Sequence, residues 1–242
     1  MAKTRRERLR EATYTEIKHI ARRQMAEQGA AALSLNAIAR EMGLTTPALY
    51  RYFANRDALV TELIVDAYGS LGDALETADS ARPETDYAGR FRALCLAYRD
   101  WALQHPQDYT LIYGTPIPGY HAPRERTIPL AARVMEVFGF LLRAAWDAGQ
   151  LVIPPAYTHL PPQLHRLAAA ILAAYPDRPP GPVGLLALAV ILWSQIHGIV
   201  WAELHTHFPP GLADSGELFA VEVEAMSQRL GLQNPVKGAN KL

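Results

Sequence analysis

Between Arg178 and Glu203 the chain carries no Asp, Glu, Lys or Arg for 24 residues. No other feature narrows the possible folds as much. A run that long can cross a bilayer as one helix, or it can be a helix covered on more than one side within a globular protein. Ser194, Gln195 and His197 fall in its middle, no second run of the kind occurs, and no basic flank orients it. A covered helix over 183–206 is therefore expected, and no membrane partner. Leu185, Leu188, Leu192, Ile196 and Ile199 make one apolar stripe, and Leu186, Val190, Trp193, His197 and Trp201 make another. Two such stripes suit core on one side and a partner subunit on the other.

The rest of the chain is punctuated for helices too. Residues 5–28 place Ile17, Ile20, Ala21 and Met25 at helical spacing and stop at Gly29. A helix over 56–78 carries Leu59, Leu63, Ala67, Leu71 and Leu75 at four-residue steps. Others are expected over 86–104, 106–113, 124–149, 164–175 and 217–230, with prolines in the intervening loops. No alternating pattern of β-branched residues occurs, so the expected fold class is all-α.

Residues 33–56, LSLNAIAREMGLTTPALYRYFANR, read as two short helices joined by a glycine turn. Ser34 is placed to cap the first helix, Leu35, Ile38, Ala39 and Met42 form its apolar stripe, and Gly43 supplies the left-handed residue that ends it. Thr45 is placed to cap the second. Pro47 fits its first turn, where backbone N–H groups have no helical partner. Leu49 and Phe53 share the inner face, which leaves Thr46, Tyr50, Arg51 and Tyr52 for the outer one. A helix this short must be held by its neighbours. Hydroxyls, a phenol and a guanidinium donate to phosphates and base edges, and helix, glycine turn and second helix make the helix-turn-helix layout. Thr46, Pro47, Tyr50, Arg51 and Tyr52 are thus expected at DNA, with Ser34, Thr45 and Arg56 on phosphates. A cation at the start of the next helix opposes the helix dipole at a cost of about 0.3–1 kcal/mol. A phosphate contact would explain why Arg56 is there.

The run LYRYFANRDAL resembles the signature of the tetracycline-repressor (TetR) family of transcriptional regulators, whose reading helix ends in Tyr-x-x-Phe followed by a basic residue. Tyr50, Tyr52, Phe53 and Arg56 fill those places, Arg56 standing where the family more often has Lys. Downstream, AYRDWALQHPQDYTLIYG and LWSQIHGIVWAEL, with Trp193, His197 and Gly198, resemble the Trp-His-Gly type of C-terminal domain in that family. The resemblance covers most of the chain. It implies a three-helix DNA-binding head at 1–55 and a helical regulatory and dimerisation bundle at 56–234. It further implies a homodimeric repressor whose two heads sit in successive major grooves of double-stranded DNA, on a pseudo-palindrome. Residues 183–206 and 217–230 would form the subunit seam, and a small-molecule effector in the bundle would shift the spacing of the heads. A polar tail at 235–242 is expected to be disordered.

Net charge is zero, but residues 1–62 hold 11 Lys and Arg against 7 Asp and Glu, while the remaining 180 hold 13 against 17. A basic head on an acidic body is the footprint of a nucleic-acid-reading domain joined to something else. Arg5, Arg6, Arg8 and Arg10 suit either a phosphate-touching arm or a solvated face. Cys95 is the single cysteine, so no intrachain disulfide exists and a reducing cytoplasm is expected. The opening MAKTRRERLREA lacks the apolar segment of a secretory signal.

Trp101, Tyr109, Tyr113, Phe138, Trp146, Trp193 and His197 are candidates to line a pocket for a small apolar or aromatic effector, though each would serve equally as core. His197, Glu203, His205 and His207 lie close in sequence but do not supply three or four ligands from one face with supporting partners. No metal or cofactor is expected. The motifs of phosphate loops, nucleophile elbows, zinc proteases and redox dithiols do not occur, and the chain is not read as an enzyme. The alternative to a DNA reader is a helical small-molecule sensor or carrier whose basic head docks a protein.

Overall fold

The computed structural model describes residues 4–173, 181–209, 211–212 and 216–232. Among them the chain forms eleven α-helices and no strand: α1 Arg5–Gln28, α2 Leu35–Glu41, α3 Thr46–Tyr50, α4 Arg56–Ser80, α5 Tyr87–Gln104, α6 Pro106–Tyr113, α7 Arg124–Asp147, α8 Pro155–Thr158, α9 Pro162–Ala173, α10 Val183–Leu204 and α11 Glu217–Arg229. The all-α expectation holds. A 3-10 turn at Ala30–Ala32 and the four-residue α8 were not expected; neither is long enough to show a period. Residues 174–175 and the expected tail at 235–242 lie outside the described residues.

The chain divides into two compact units. Unit 1 comprises Met1–Ser70 and His105–Leu130, and unit 2 comprises Leu71–Gln104 and Ala131–Leu242. The division falls within α4 and within α7.

In unit 1, α1 opens on a capping box. The Glu7 N–H donates to Thr4 Oγ1 at 3.2 Å and the Thr4 N–H donates to the Glu7 carboxylate at 2.7 Å. The bond from the Thr4 N–H, with a second from the Thr4 hydroxyl at 2.9 Å, favours the charged carboxylate and holds Glu7 below its ordinary pKa. Ile17, Ile20, Ala21 and Met25 of α1 then pack with Leu35 and Ile38 of α2, Leu49 of α3, Phe53, and Leu59 and Leu63 of α4. Polar bonds tie in α6 and the segment after it. Arg22 Nε donates to the buried Asp108 at 2.8 Å, and Lys18 reaches Asp66 at 2.6 Å. Tyr120 and Thr61 share a hydroxyl bond of 2.9 Å. Tyr14 is lifted to about 12, chiefly by burial and then by Glu62 beside it. Two of the cations along α1 therefore hold the unit together.

In unit 2, α10 packs against α5, α8, α9 and α11. Leu185, Leu188, Leu192 and Ile196 are buried, as the first stripe requires. The second stripe differs: Val190 is 44% and Trp201 38% exposed. This helix is long and apolar enough to cross a membrane, with mean hydropathy 2.0 over its most apolar window, and 39% of that window is buried within the chain. At Gly184 a Cβ would collide with the Tyr157 carbonyl, so glycine is what lets α8 lie against α10. Arg99 Nε donates to Glu203 at 2.8 Å, which clamps the end of α10 to α5. Cys95 is buried in α5, and burial pushes its thiol well above the ordinary range. It is a core residue rather than a nucleophile.

Candidate nucleic-acid interface

The Ser34 hydroxyl accepts the Ala37 N–H at 3.3 Å and starts α2. The helix ends on Gly43 at φ +65°, where the Leu44 N–H donates to Ala39 O at 2.8 Å and the Gly43 N–H to Arg40 O at 3.2 Å. This pair of bonds is a Schellman motif, which needs a left-handed residue between the two helices. The Thr45 hydroxyl accepts the Ala48 N–H at 3.4 Å and starts α3, with Pro47 in its first turn. Both caps and the turn lie where the sequence put them.

Helix α3 is shorter than expected and stops at Tyr50. Tyr52 N–H turns back to Leu49 O at 2.8 Å, a tighter closure than the α ladder allows. That tightening carries Phe53 inward, where its ring stacks on Tyr14 with centroids 4.6 Å apart. Asn55 then caps α4, its side-chain oxygen accepting the Ala58 N–H at 2.8 Å.

The outer surface keeps most of its expected members. Thr45, Pro47, Tyr50 and Arg51 are exposed, Tyr50 by 45%, and Ser34 and Thr46 are half-buried. Arg51 sits at the C-cap of α3 rather than within it. Tyr52, expected with the outer group, is half-buried and packs against the core of the unit. Its ring therefore supports the reading helix from behind.

Arg56 has a task the sequence did not reveal. Its guanidinium donates to Ala30 O at 2.9 Å and to Ala31 O at 3.1 Å, so the first residue of α4 ties down the 3-10 turn that leads into α2. Capping exposed carbonyls explains a cation at a helix start without any phosphate. Arg23 and Glu41 form a further pair between α1 and α2.

The seven effector candidates are divided between the two units. Tyr109 and Tyr113 belong to unit 1, where their rings meet at 5.2 Å. Trp101, Phe138, Trp146, Trp193 and His197 belong to unit 2. Trp101, Tyr109 and Phe138 are buried as core. His197 shares a 2.9 Å bond between its Nδ1 and the Tyr98 hydroxyl and stacks on Trp193, and burial holds its imidazole below its ordinary value. Trp146 lines a cleft with Ile153, Tyr157 and His165. Among the described residues no cluster of three or more His, Cys, Asp or Glu side chains could hold a metal ion. Glu203, close in sequence to His205 and His207, is paired with Arg99.

Two capped helices, a left-handed glycine between them and a polar outer face define a helix-turn-helix protein. Residues 17–63 match the family described as bacterial regulatory proteins, tetR family, and residues 91–226 match the tetracyclin repressor-like C-terminal domain. The chain is 42% identical over 145 residues to the HTH-type transcriptional regulators Rv1816 of Mycobacterium tuberculosis and Mb1846 of Mycobacterium bovis. That match takes in 59% of this chain and 61% of the length of those relatives. Among solved structures, SCO4313, a protein described as regulatory, is 40% identical with a TM-score of 0.73, covering 92% of this chain and 98% of that one. A tetR-family regulatory protein from Rhodococcus RHA1 shares the fold at 16% identity and a TM-score of 0.64, over 91% of this chain and 98% of that one. The chain belongs to the tetR family of bacterial regulatory proteins. Its curated relatives are transcriptional regulators, not enzymes.

Proposed function

We propose that the chain is a cytoplasmic transcriptional repressor that reads double-stranded DNA as a homodimer and is released by a small apolar or aromatic effector. Residues 1–55 are the reading head and 56–234 the regulatory and dimerisation part. The observation that carries this reading is the exposure of Tyr50 and Arg51 on a five-residue helix fixed by the Thr45 cap, the Gly43 turn and the buried Leu49. A helix so short gains little from its own packing, and its fixation serves what it presents. Tyr50, Arg51, Thr46 and Pro47 face the major groove, the Ser34 and Thr45 hydroxyls donate to phosphates, and Tyr52 supports them. Arg56 acts first by holding the turn before α2, and any phosphate contact it makes is secondary.

The dimer reading rests on two neighbouring helices. On α10, Val190, Ile191 and Trp201 are exposed, and on α11 Leu218 is 38% and Val221 67% exposed. Such apolar surface on adjacent helices favours a twofold partner presenting the same face. Effector binding then shifts the population between head spacings rather than creating a new fold. Selection of bound fragments from random DNA tests the reading. A site with twofold symmetry is expected; failure to enrich any sequence would favour a head that docks a protein.

A further inference from the structure

A cavity of about 220 Å³ lies in unit 2 among α7, α9 and α10, apart from the seven aromatic candidates. Its walls include Met135 and Gly139 of α7, Ile171 of α9, and Leu185, Leu186 and Ala189 of α10. Small residues make the space: at Gly139 an added Cβ would meet nothing within 4 Å. Phe140 and Ile171 line it while remaining 53% and 44% exposed, so large apolar side chains border a hollow that no described side chain fills.

Two charged residues also line the cavity, Glu136 and Arg143. Arg143 Nε donates to Asp147 at 2.7 Å, and its guanidinium lies over the Trp146 ring at 5.4 Å. Glu136 likewise has a partner. Neither charge is available to neutralise a charged ligand, and burying an unpaired ion costs far more than apolar contact returns. Size narrows the occupant further. An apolar protein cavity of about 150 Å³ holds benzene, so this one takes a one- or two-ring hydrophobe or a short alkyl chain, and is too small for a helix or strand.

We propose that the hollow between α7, α9 and α10 is a binding site for a neutral, compact hydrophobic molecule, and that it is where the effector enters. The second half rests on the repressor reading above. The site joins three helices, so its occupant would fix α9 and α10 against α7.

The test uses the full chain and three probes of similar size: 1-naphthol, the 1-naphthoate anion and the 1-naphthylmethylammonium cation. Calorimetry should find one 1-naphthol per chain and at least tenfold weaker binding of both ions. Gly139→Leu fills the hollow while replacing a helical glycine with a better helix former, and should weaken 1-naphthol at least tenfold. Ile171→Glu, at an exposed rim position, should do the same while strengthening the cation. Equal binding of the three probes, or 1-naphthol binding unchanged in both variants, overturns the site. Because this readout needs no DNA, a protein that enriches no operator can still pass it. A site that binds 1-naphthol without lowering the affinity for a selected operator overturns the effector half.

Discussion

Helix α3 and helix α10 are opposite solutions to the same problem, how to leave a surface open. Helix α3 has five residues, one buried side chain and a polar outer face. Its position comes from the Gly43 turn, the Thr45 cap and the neighbours around Leu49. Helix α10 has 22 residues and a buried apolar stripe, and it exposes Val190, Ile191 and Trp201. The first open surface offers hydrogen-bond donors and a cation; the second offers area to be removed from water. Surfaces so different in chemistry call for different partners, a polyanion for one and an apolar face for the other.

Removing a core ring on each side should separate the two regions most strongly. Phe53→Ala, which takes away the ring stacked on Tyr14, should cost about 3–5 kcal/mol in denaturant unfolding and abolish DNA retardation. Phe138→Ala, in unit 2, should cost a similar amount. If Phe53→Ala left DNA affinity intact, the head would not depend on its core as claimed.

Arg56→Gln sharpens the head further. Losing a charged donor to two carbonyls should cost about 1.5–3 kcal/mol and weaken DNA binding, yet leave the dependence of affinity on salt unchanged. A residue that neutralises a phosphate would instead reduce the log–log salt slope by about 0.9. Arg56→Lys keeps the charge without the planar fork. It should fail to restore affinity if the staple matters, and restore it if a phosphate contact does.

The smallest effect is expected in unit 2, at His197. Burial lowers its pKa in the folded chain below the ordinary 6.5. The unfolded chain therefore binds more protons near and below that value, so stability is full above about pH 6.5 and falls as the pH drops toward the lowered value. Thermal midpoints measured between about pH 7.5 and 5.5 should fall with acidification, and less so in His197→Gln. An equal fall in both proteins would show that other groups carry the pH dependence.

Local features were legible in the sequence. Ser34, Gly43 and Thr45 act within a few residues of themselves, and each cap or turn lies where its chemistry put it. The buried stripe of α10, Leu185, Leu188, Leu192 and Ile196, was also readable from its helical spacing. What could not be read is contact at a distance. Asp108 meets Arg22 and Tyr120 meets Thr61 across 86 and 59 residues, and such pairs bring residues 105–130 into unit 1. Arg56 bonds carbonyls 25 and 26 residues earlier, and carbonyls leave no mark in a sequence. Tyr52 looked like an outer residue because a longer helix was assumed; the tight closure at Leu49 rotates it toward the core. Among the aromatic candidates in unit 2, Trp101 and Phe138 are core, and the residues that line the hollow carry no motif.

The most direct measurement is gel retardation of a selected DNA site by Tyr50→Ala/Arg51→Ala, with circular dichroism and solution mass recorded on the same sample. Both side chains are exposed, so their loss should leave helicity and mass unchanged while binding disappears. Retardation equal to that of the unaltered chain, with both residues gone, would contradict the claim that α3 is the element that reads DNA.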